Sequence, residues 1–331
     1  MRRTYFILIM GAVAIAALLS CAKNIKVGPA EARTIAKEAY IYSYPIVENY
    51  KVMYAYALYR QNPHFKAPFN NLAVLTPDTT VADSTKNSDM VRHSYALAWL
   101  DLRKEPVIIT IPAMDAGREY DVRLIDLYTY RFAELSSSIS GSQGGKYMIT
   151  FGTAPGTTPE GITSVIPCET AMALALIYEK PPAGETAEIT SEHLELFNVQ
   201  TQSIFNGQRP LKADDLIFPP YSVATVRSPG FFQYVNFAFR FCPVNPGEIQ
   251  ERAQFAKLGI AAGKTFSVAS LSKDMLDAIN AGMADGRAAI DSVAARTPEE
   301  QVMYGTRADL KNDYMARAVA AKLRLYGPAP W

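Results

Sequence analysis

The sequence predicts an α+β protein: an N-terminal helix, an antiparallel β-sandwich, and then an all-α region. Three observations carry this. Apolar residues recur at three- and four-residue steps before residue 60. Between residues 70 and 180 the period falls to two, with Gly and Pro punctuation and no interleaved helices. After Pro181-Pro182-Ala183-Gly184 helical spacing returns. The segments are 1–21 (signal peptide), 22–62 (N-terminal helical segment), 63–182 (sandwich) and 183–331 (helical domain).

The first 21 residues hold Arg2-Arg3, fourteen apolar residues from Phe6 to Leu19, then Ser20-Cys21. A charged start, a short apolar run and a small residue before cysteine mark a bacterial export signal. The apolar run is shorter than the roughly 20 residues a bilayer span needs. Leu18-Leu19-Ser20-Cys21 resembles a lipobox, in which Cys21 would be lipidated and become the mature N-terminus. Ala22 is not Asp, so no inner-membrane retention signal is present. The expectation is a lipid-anchored envelope protein facing the periplasm, by default at the outer membrane.

In the N-terminal segment, Pro29 suits a first helical position. Ile35, Ala39, Tyr42, Ile46, Tyr50, Met53 and Ala57 form the apolar stripe. Pro45 should kink or split the helix, because it lacks the donor to the preceding turn. Asn62-Pro63 ends it.

The β region reads as strands over Val107–Ile111, Glu119–Phe132, Lys146–Phe151, Thr163–Ile166 and Ala171–Tyr178. Beyond the boundary, Asn245-Pro246-Gly247-Glu248 carries the signals of a helix start. Ser272 can cap a helix whose stripe is Met275, Ile279, Met283, Ile290 and Val293. Thr297-Pro298-Glu299-Glu300 opens another start, and a last helix is predicted from about Ala308 to Tyr326.

The formal charge is +1 and becomes −1 once the segment carrying Arg2 and Arg3 is removed. Such a balance gives no attraction to nucleic acid. The chain has 19 Tyr and 15 Phe, so some tyrosines should line a groove or an interface. Cys168 and Cys242 could pair in an oxidising compartment, but two cysteines make no disulfide framework.

The strings Ala39-Tyr40-Ile41-Tyr42-Ser43-Tyr44-Pro45, Ala98-Trp99-Leu100-Asp101-Leu102, Glu105-Pro106-Val107 and Tyr120 through Thr129 occur in order. Ser228-Pro229-Gly230-Phe231-Phe232 and Gly259 through Phe266 follow. Together they resemble bacterial proteins carrying domain-of-unknown-function 1254, over roughly residues 33 to 326. The resemblance implies an immunoglobulin-like β-sandwich followed by a helical region. Such proteins commonly continue into a second β domain, numbered 1214, and the sequence here stops at Trp331. It also reads Asn87-Ser88-Asp89-Met90-Val91-Arg92-His93-Ser94-Tyr95 where the family usually has Asn-x-Asp-Thr-x-Tyr-Ser. The resemblance carries over no activity.

Chemical motifs are few. Gly259 to Thr265 superficially resembles a phosphate loop, but Leu258 stands where the first glycine belongs and a helix precedes it. It reads as a helix cap. His64, His93 and His193 are scattered, with no metal-ligand spacing and no nucleophile elbow. No metal or cofactor is expected. The sharper constellation is Arg118, Tyr120, Arg123, Asp126 and Tyr128. On one long strand Asp126 falls within an apolar face with Tyr120, Val122, Leu124 and Tyr128, and a buried carboxylate needs a donor. Arg118 shares that face; Arg123 would reach it only if a bulge near Ile125 shifts the phase. This is either a structural ion pair or a polar handle in an aromatic cleft. Asp78, Asp89 and Arg92 lie in a loop-like stretch and read as solvated charge.

The functional expectation is an envelope lipoprotein that binds a small molecule, saccharide or protein without chemistry. The rivals are an enzyme acting at a tyrosine-rich cleft and a truncated paralogue without activity. Without a covering second β domain, the face carrying Met275, Ile279 and Met283, or the terminal helix, should be partly exposed, which predicts a homo-oligomer or an envelope protein partner.

Overall fold

The computed structural model describes residues 27–76, 94–212, 215–298 and 301–323. The signal peptide, Cys21, Asp78, Asp89, Arg92 and His93 lie outside these residues. The chain is α+β, with two sheets and a set of helices.

Helix α1 (Pro29–Met53) runs unbroken through Pro45, and a π-helical turn, Tyr54–Leu58, continues it. The predicted split does not occur. All seven residues of the predicted apolar stripe are buried, from Ile35 to Ala57. The strands are β1 (Ala73–Leu75), β2 (Tyr95–Asp101), β3 (Val107–Ile111), β4 (Glu119–Asp126), β5 (Arg131–Ser136), β6 (Gly145–Phe151), β7 (Ser164–Cys168), β8 (Met172–Lys180) and β9 (Asn198–Thr201). The first sheet has the order β1-β2-β8-β4-β5 and the second β7-β6-β3-β9. Pairing is antiparallel except between β6 and β7, which run parallel, so the all-antiparallel expectation fails at that edge.

Residues of both sheets meet in one core. Ala96, Ala98, Ala173 and Ala175 of the first sheet face Val107, Ile109 and Ile149 of the second. The alternate residues Leu97, Trp99, Leu174 and Leu176 point the other way, into a core shared with α1 and the later helices. The first sheet is thus a middle layer, buried on both faces. This is why β2 and β8 read as continuous apolar runs rather than as clean alternation.

Besides the single turns Ser137–Ser140, Gln202–Phe205 and Val223–Val226, the helices that follow among the described residues are α2 (Ala187–Leu194), α3 (Phe231–Ala238), α4 (Ile249–Ala256), α5 (Lys273–Ala294), α6 (Arg307–Leu310) and α7 (Tyr314–Leu323). Ser272 caps α5 as predicted, accepting the Met275 N–H at 3.3 Å. Asn245 accepts the Gly247 N–H at 3.0 Å ahead of α4. Four predictions are corrected. First, β9 lies beyond residue 182 and pairs with β3, so the β region does not end at Pro182. Second, α1 packs along α5 in one core with the C-terminal helices rather than forming a separate segment. Gly282 and Gly286 permit that approach: a methyl on Gly282 would collide with the Arg33 carbonyl, and one on Gly286 would press on the Tyr40 ring at 3.0 Å. Third, of the face expected to be exposed Ile279 and Met283 are buried, while Met275 and the start of the terminal helix, Tyr314 and Met315, are partly exposed. Fourth, the last predicted helix is two: Thr306 and Asp309 form a capping box, and Lys311, in the left-handed region at φ 51°, separates α6 from α7. Cys168 and Cys242 are both buried and both free, so the alternative of a bridge fails. Burial pushes the Cys168 thiol up to about 12.

Candidate functional site

The sequence expected one long strand from Glu119 to Phe132. The chain instead leaves β4 after Asp126, turns through Leu127–Tyr130 with Thr129 at φ 73°, and returns as β5. A register shift does occur between Leu124 and Ile125. It divides the five predicted residues into separate settings.

Arg118 donates to Glu179 at 3.1 Å and to Glu185 at 3.0 Å, and Glu179 also meets His193 Nδ1 at 2.6 Å. Burial pushes the Glu179 carboxyl up, against the pull of His193 and Arg118. Arg123 pairs with Asp121 at 2.8 Å and lies over the Tyr178 ring. Tyr120 donates to the Gly141 carbonyl at 3.1 Å and packs on Phe197. Neither arginine reaches Asp126.

Asp126 is fully buried, as the alternation implied. One carboxyl oxygen accepts the Tyr130 N–H at 2.8 Å and the other finds no donor. Burial, reinforced by the Glu169 carboxyl beside it, pushes the Asp126 pKa well above the carboxylate range. Around it lies a network of arginines and tyrosines. Arg307 bonds Glu169 at 2.9 Å and Glu248 at 2.7 Å, and Tyr42 donates to Glu248 at 2.8 Å. Arg317 clamps the Tyr128 carbonyl at 2.6 Å, and Arg252 donates to the Tyr128 hydroxyl at 3.0 Å while stacking 3.4 Å from the Phe239 ring centroid. Asp126, Glu248, Arg252 and Arg317 are buried, Arg307 and Glu169 partly so, and the side chains engage one another, as an architectural tie requires.

An open site stands elsewhere. A groove follows the face of α1 turned away from its core stripe. Tyr40, Tyr44, Glu48 and Lys51 line a hollow of about 590 Å³ with Tyr221, Arg227, Arg287, Asp291 and Lys322 across from them. A second hollow, about 620 Å³, continues past Lys51 and Tyr221 to Tyr54, Tyr59, Asn62 and Pro220. The far wall is pinned from below: Tyr50 donates to the Pro219 carbonyl at 2.6 Å and Tyr234 to that of Pro220 at 2.7 Å. The rings form a chain, with Tyr40 and Tyr44 centred 5.9 Å apart and Tyr54 stacked on Tyr59 at 5.8 Å. Burial pushes the Tyr221 hydroxyl up to about 12 and Tyr44 further, so both are donors at neutral pH. Lys51 pairs with Glu48 at 3.0 Å and Lys322 with Asp291 at 2.9 Å. Arg287 reaches only the Tyr40 hydroxyl, at 3.5 Å, and Arg227 has no carboxylate partner among the described residues. Among the described residues no group of His, Cys, Asp and Glu could hold a metal ion, and no helix is long and apolar enough to cross a membrane.

Residues 69–178 match the profile of the family described as "Protein of unknown function (DUF1254)". This segment is a DUF1254 domain. A crystal structure of the VPA0106 protein from Vibrio parahaemolyticus aligns with a TM-score of 0.72 at 23% identity, covering 90% of this chain and 69% of that one. The two share a fold. A putative uncharacterized protein from Burkholderia cenocepacia aligns with a TM-score of 0.26 at 9% identity, over 77% of this chain and 51% of the other, and carries no argument. No curated protein matches.

All five residues singled out in the sequence lie within the DUF1254 domain. The groove residues lie outside it, on α1 and on the later helices and loops. The sequence pointed to Tyr120 and Tyr128 for an aromatic cleft and did not single out the tyrosines of this groove. The signal was present as a second stripe on α1: Tyr40, Tyr44, Lys51 and Tyr54 recur beside the core stripe at helical steps.

Proposed function

We propose that this protein is an envelope lipoprotein, anchored through Cys21 and facing the periplasm, which binds a small molecule in the tyrosine groove without transforming it. One observation carries the reading. The groove joins aromatic faces to guanidinium groups that have no carboxylate partner among the described residues, and each hollow lies within the roughly 300–1,000 Å³ typical of ligand sites. None of the carboxyl groups that burial pushes upward lines the groove: Asp126 and Glu179 lie in the buried networks, and Asp121, paired with Arg123, lies on a separate hollow of about 430 Å³ beside Tyr120 and Glu134. An acid–base catalyst would place such groups at the pocket. The core shared by the two sheets supports the finer reading of the β region as a sandwich of immunoglobulin-like kind. An apolar patch is not needed for the binding role, so a homo-oligomer or protein partner is a separate proposal that light scattering tests.

Two experiments test the function. Labelled palmitate should enter the wild type and not Cys21→Ser; equal labelling of both would remove the anchor. Thermal-shift screening of small-molecule panels should find compounds that stabilise the wild type and lose that effect in Tyr44→Ala. Compounds stabilising both proteins equally would place the site elsewhere.

A further inference from the structure

Resting on the binding role proposed for this groove, we infer that its two hollows are successive subsites for an acidic oligosaccharide. The carboxylates of the sugar chain meet Arg227 and Arg287, and its rings lie along Tyr44, Tyr221 and Tyr54.

The dimensions come first. Tyr40 and Tyr54 are fourteen residues apart on one helix, so the groove follows about 21 Å of helix axis. A single aromatic acid would fill one hollow and leave the other to water. The hollows share Lys51 and Tyr221, so an extended chain passes from one to the other without leaving the protein surface.

The lining comes second. Rings recur along the whole path, all but that of Phe231 with a hydroxyl at the edge, and Glu48, Lys51 and Asn62 stand between them. A sugar ring offers the matching pair of surfaces: an apolar C–H face for the tyrosine ring and hydroxyls for the polar groups. An acyl chain would leave those polar groups without partners, which is costly where water is displaced.

Charge comes third. The acids in the groove are already answered, Glu48 by Lys51 and Asp291 by Lys322. That leaves the guanidinium groups of Arg227 and Arg287 on the same hollow. A guanidinium matches a carboxylate through paired N–H donors. The second hollow carries no arginine and its one charged side chain, Lys51, is paired with Glu48, so the two subsites differ: both are aromatic, and the guanidinium groups lie on the first.

The test is calorimetric titration of the full chain with trigalacturonate, galacturonate, maltotriose and 4-hydroxybenzoate, with tyrosine-ring chemical shifts recorded alongside. Trigalacturonate should bind about tenfold or more tighter than neutral maltotriose, because bonds to charged groups are worth more than neutral ones. Raising the salt should narrow that difference. The Arg227→Gln/Arg287→Gln double variant should bring the two trisaccharides level. Arg227 is exposed, so its single variant serves if the double variant folds poorly. Tyr54→Ala should weaken trigalacturonate by about fivefold, the scale of one lost ring contact, while leaving galacturonate unchanged. Equal binding of charged and neutral trisaccharides overturns the inference. Shifts of the groove tyrosines with 4-hydroxybenzoate and none with trigalacturonate also overturn it, while leaving the groove a binding site. No groove shifts with any compound overturn both.

Discussion

Two clusters of tyrosine and charge draw on the same helix and have opposite characters. Tyr42 points into the network under the β4–β5 turn, where it bonds Glu248. Tyr40 and Tyr44, two residues to either side and so about 200° around the helix, line the groove. In the network, Glu248, Arg317 and Asp126 are almost wholly buried, and three arginines are engaged by carboxylates, a hydroxyl, a carbonyl and ring faces. In the groove, two arginines have no carboxylate partner among the described residues, and a hollow lies beside them. The difference teaches how to read a tyrosine–arginine cluster. Where the guanidinium groups are enclosed and bonded to carboxylates, carbonyls and hydroxyls of the protein, as those of Arg307, Arg317 and Arg252 are, the cluster holds the fold. Where charge is left over beside open space, the cluster is available to a ligand.

The largest way to break the comparison is Glu248→Ala. It leaves Arg307 without one of its two carboxylates and Tyr42 without an acceptor, and should cost about 3–5 kcal/mol in urea denaturation. A loss below 1 kcal/mol would mean the network is not the tie described here. Next is Gly282→Ala, which forces α1 away from α5. The expected cost is about 1–3 kcal/mol, the usual range for overpacking, with weaker ligand retention because α1 is one wall of the groove. A variant as stable as wild type would show that the helix contact has slack the geometry does not suggest.

Asp126 sharpens the comparison through pH. Its folded pKa lies well above the unfolded value of about 3.9. The folded state then holds a proton that the unfolded state has released. The associated stability is full below the unfolded pKa and is lost as pH rises through the folded one. Asp126→Asn cannot ionise, so its stability should gain on wild type as pH is raised above about 4. Parallel melting curves for the two proteins from pH 4 to 9 would show that Asp126 is ionised in the fold. The smallest stability effect belongs to Arg227→Gln: within about 0.5 kcal/mol, as for most surface changes, yet with ligand retention reduced.

These particulars also show what the sequence made legible. The core stripe of α1 was visible because its seven apolar positions follow one period. The caps at Asn245 and Ser272 were visible because short polar side chains there have one local use. The strand β2 escaped as an element because both of its faces are buried, so no alternation marks it. The strand β9 escaped because it has four residues and depends on β3 for its partner. Asp126 was rightly placed inside, but its partners were not. Glu169, Glu248, Arg307 and Arg317 approach from distant positions, and a strand pattern records only neighbours two residues apart. The groove escaped for the same reason: Tyr221, Arg227 and Arg287 come to α1 from more than 150 residues away in sequence.

The most direct measurement of the central claim is chemical-shift mapping on tyrosine-labelled protein, titrated with a mixed set of uronate oligomers, neutral oligosaccharides and aryl carboxylates. Shifts are expected to be confined to the groove rings Tyr40, Tyr44, Tyr54, Tyr59 and Tyr221, with Tyr42, Tyr128 and Tyr130 unmoved. Shifts centred on Tyr128 and Tyr130, with the α1 groove silent, would contradict this claim and return the site to the surroundings of Asp126.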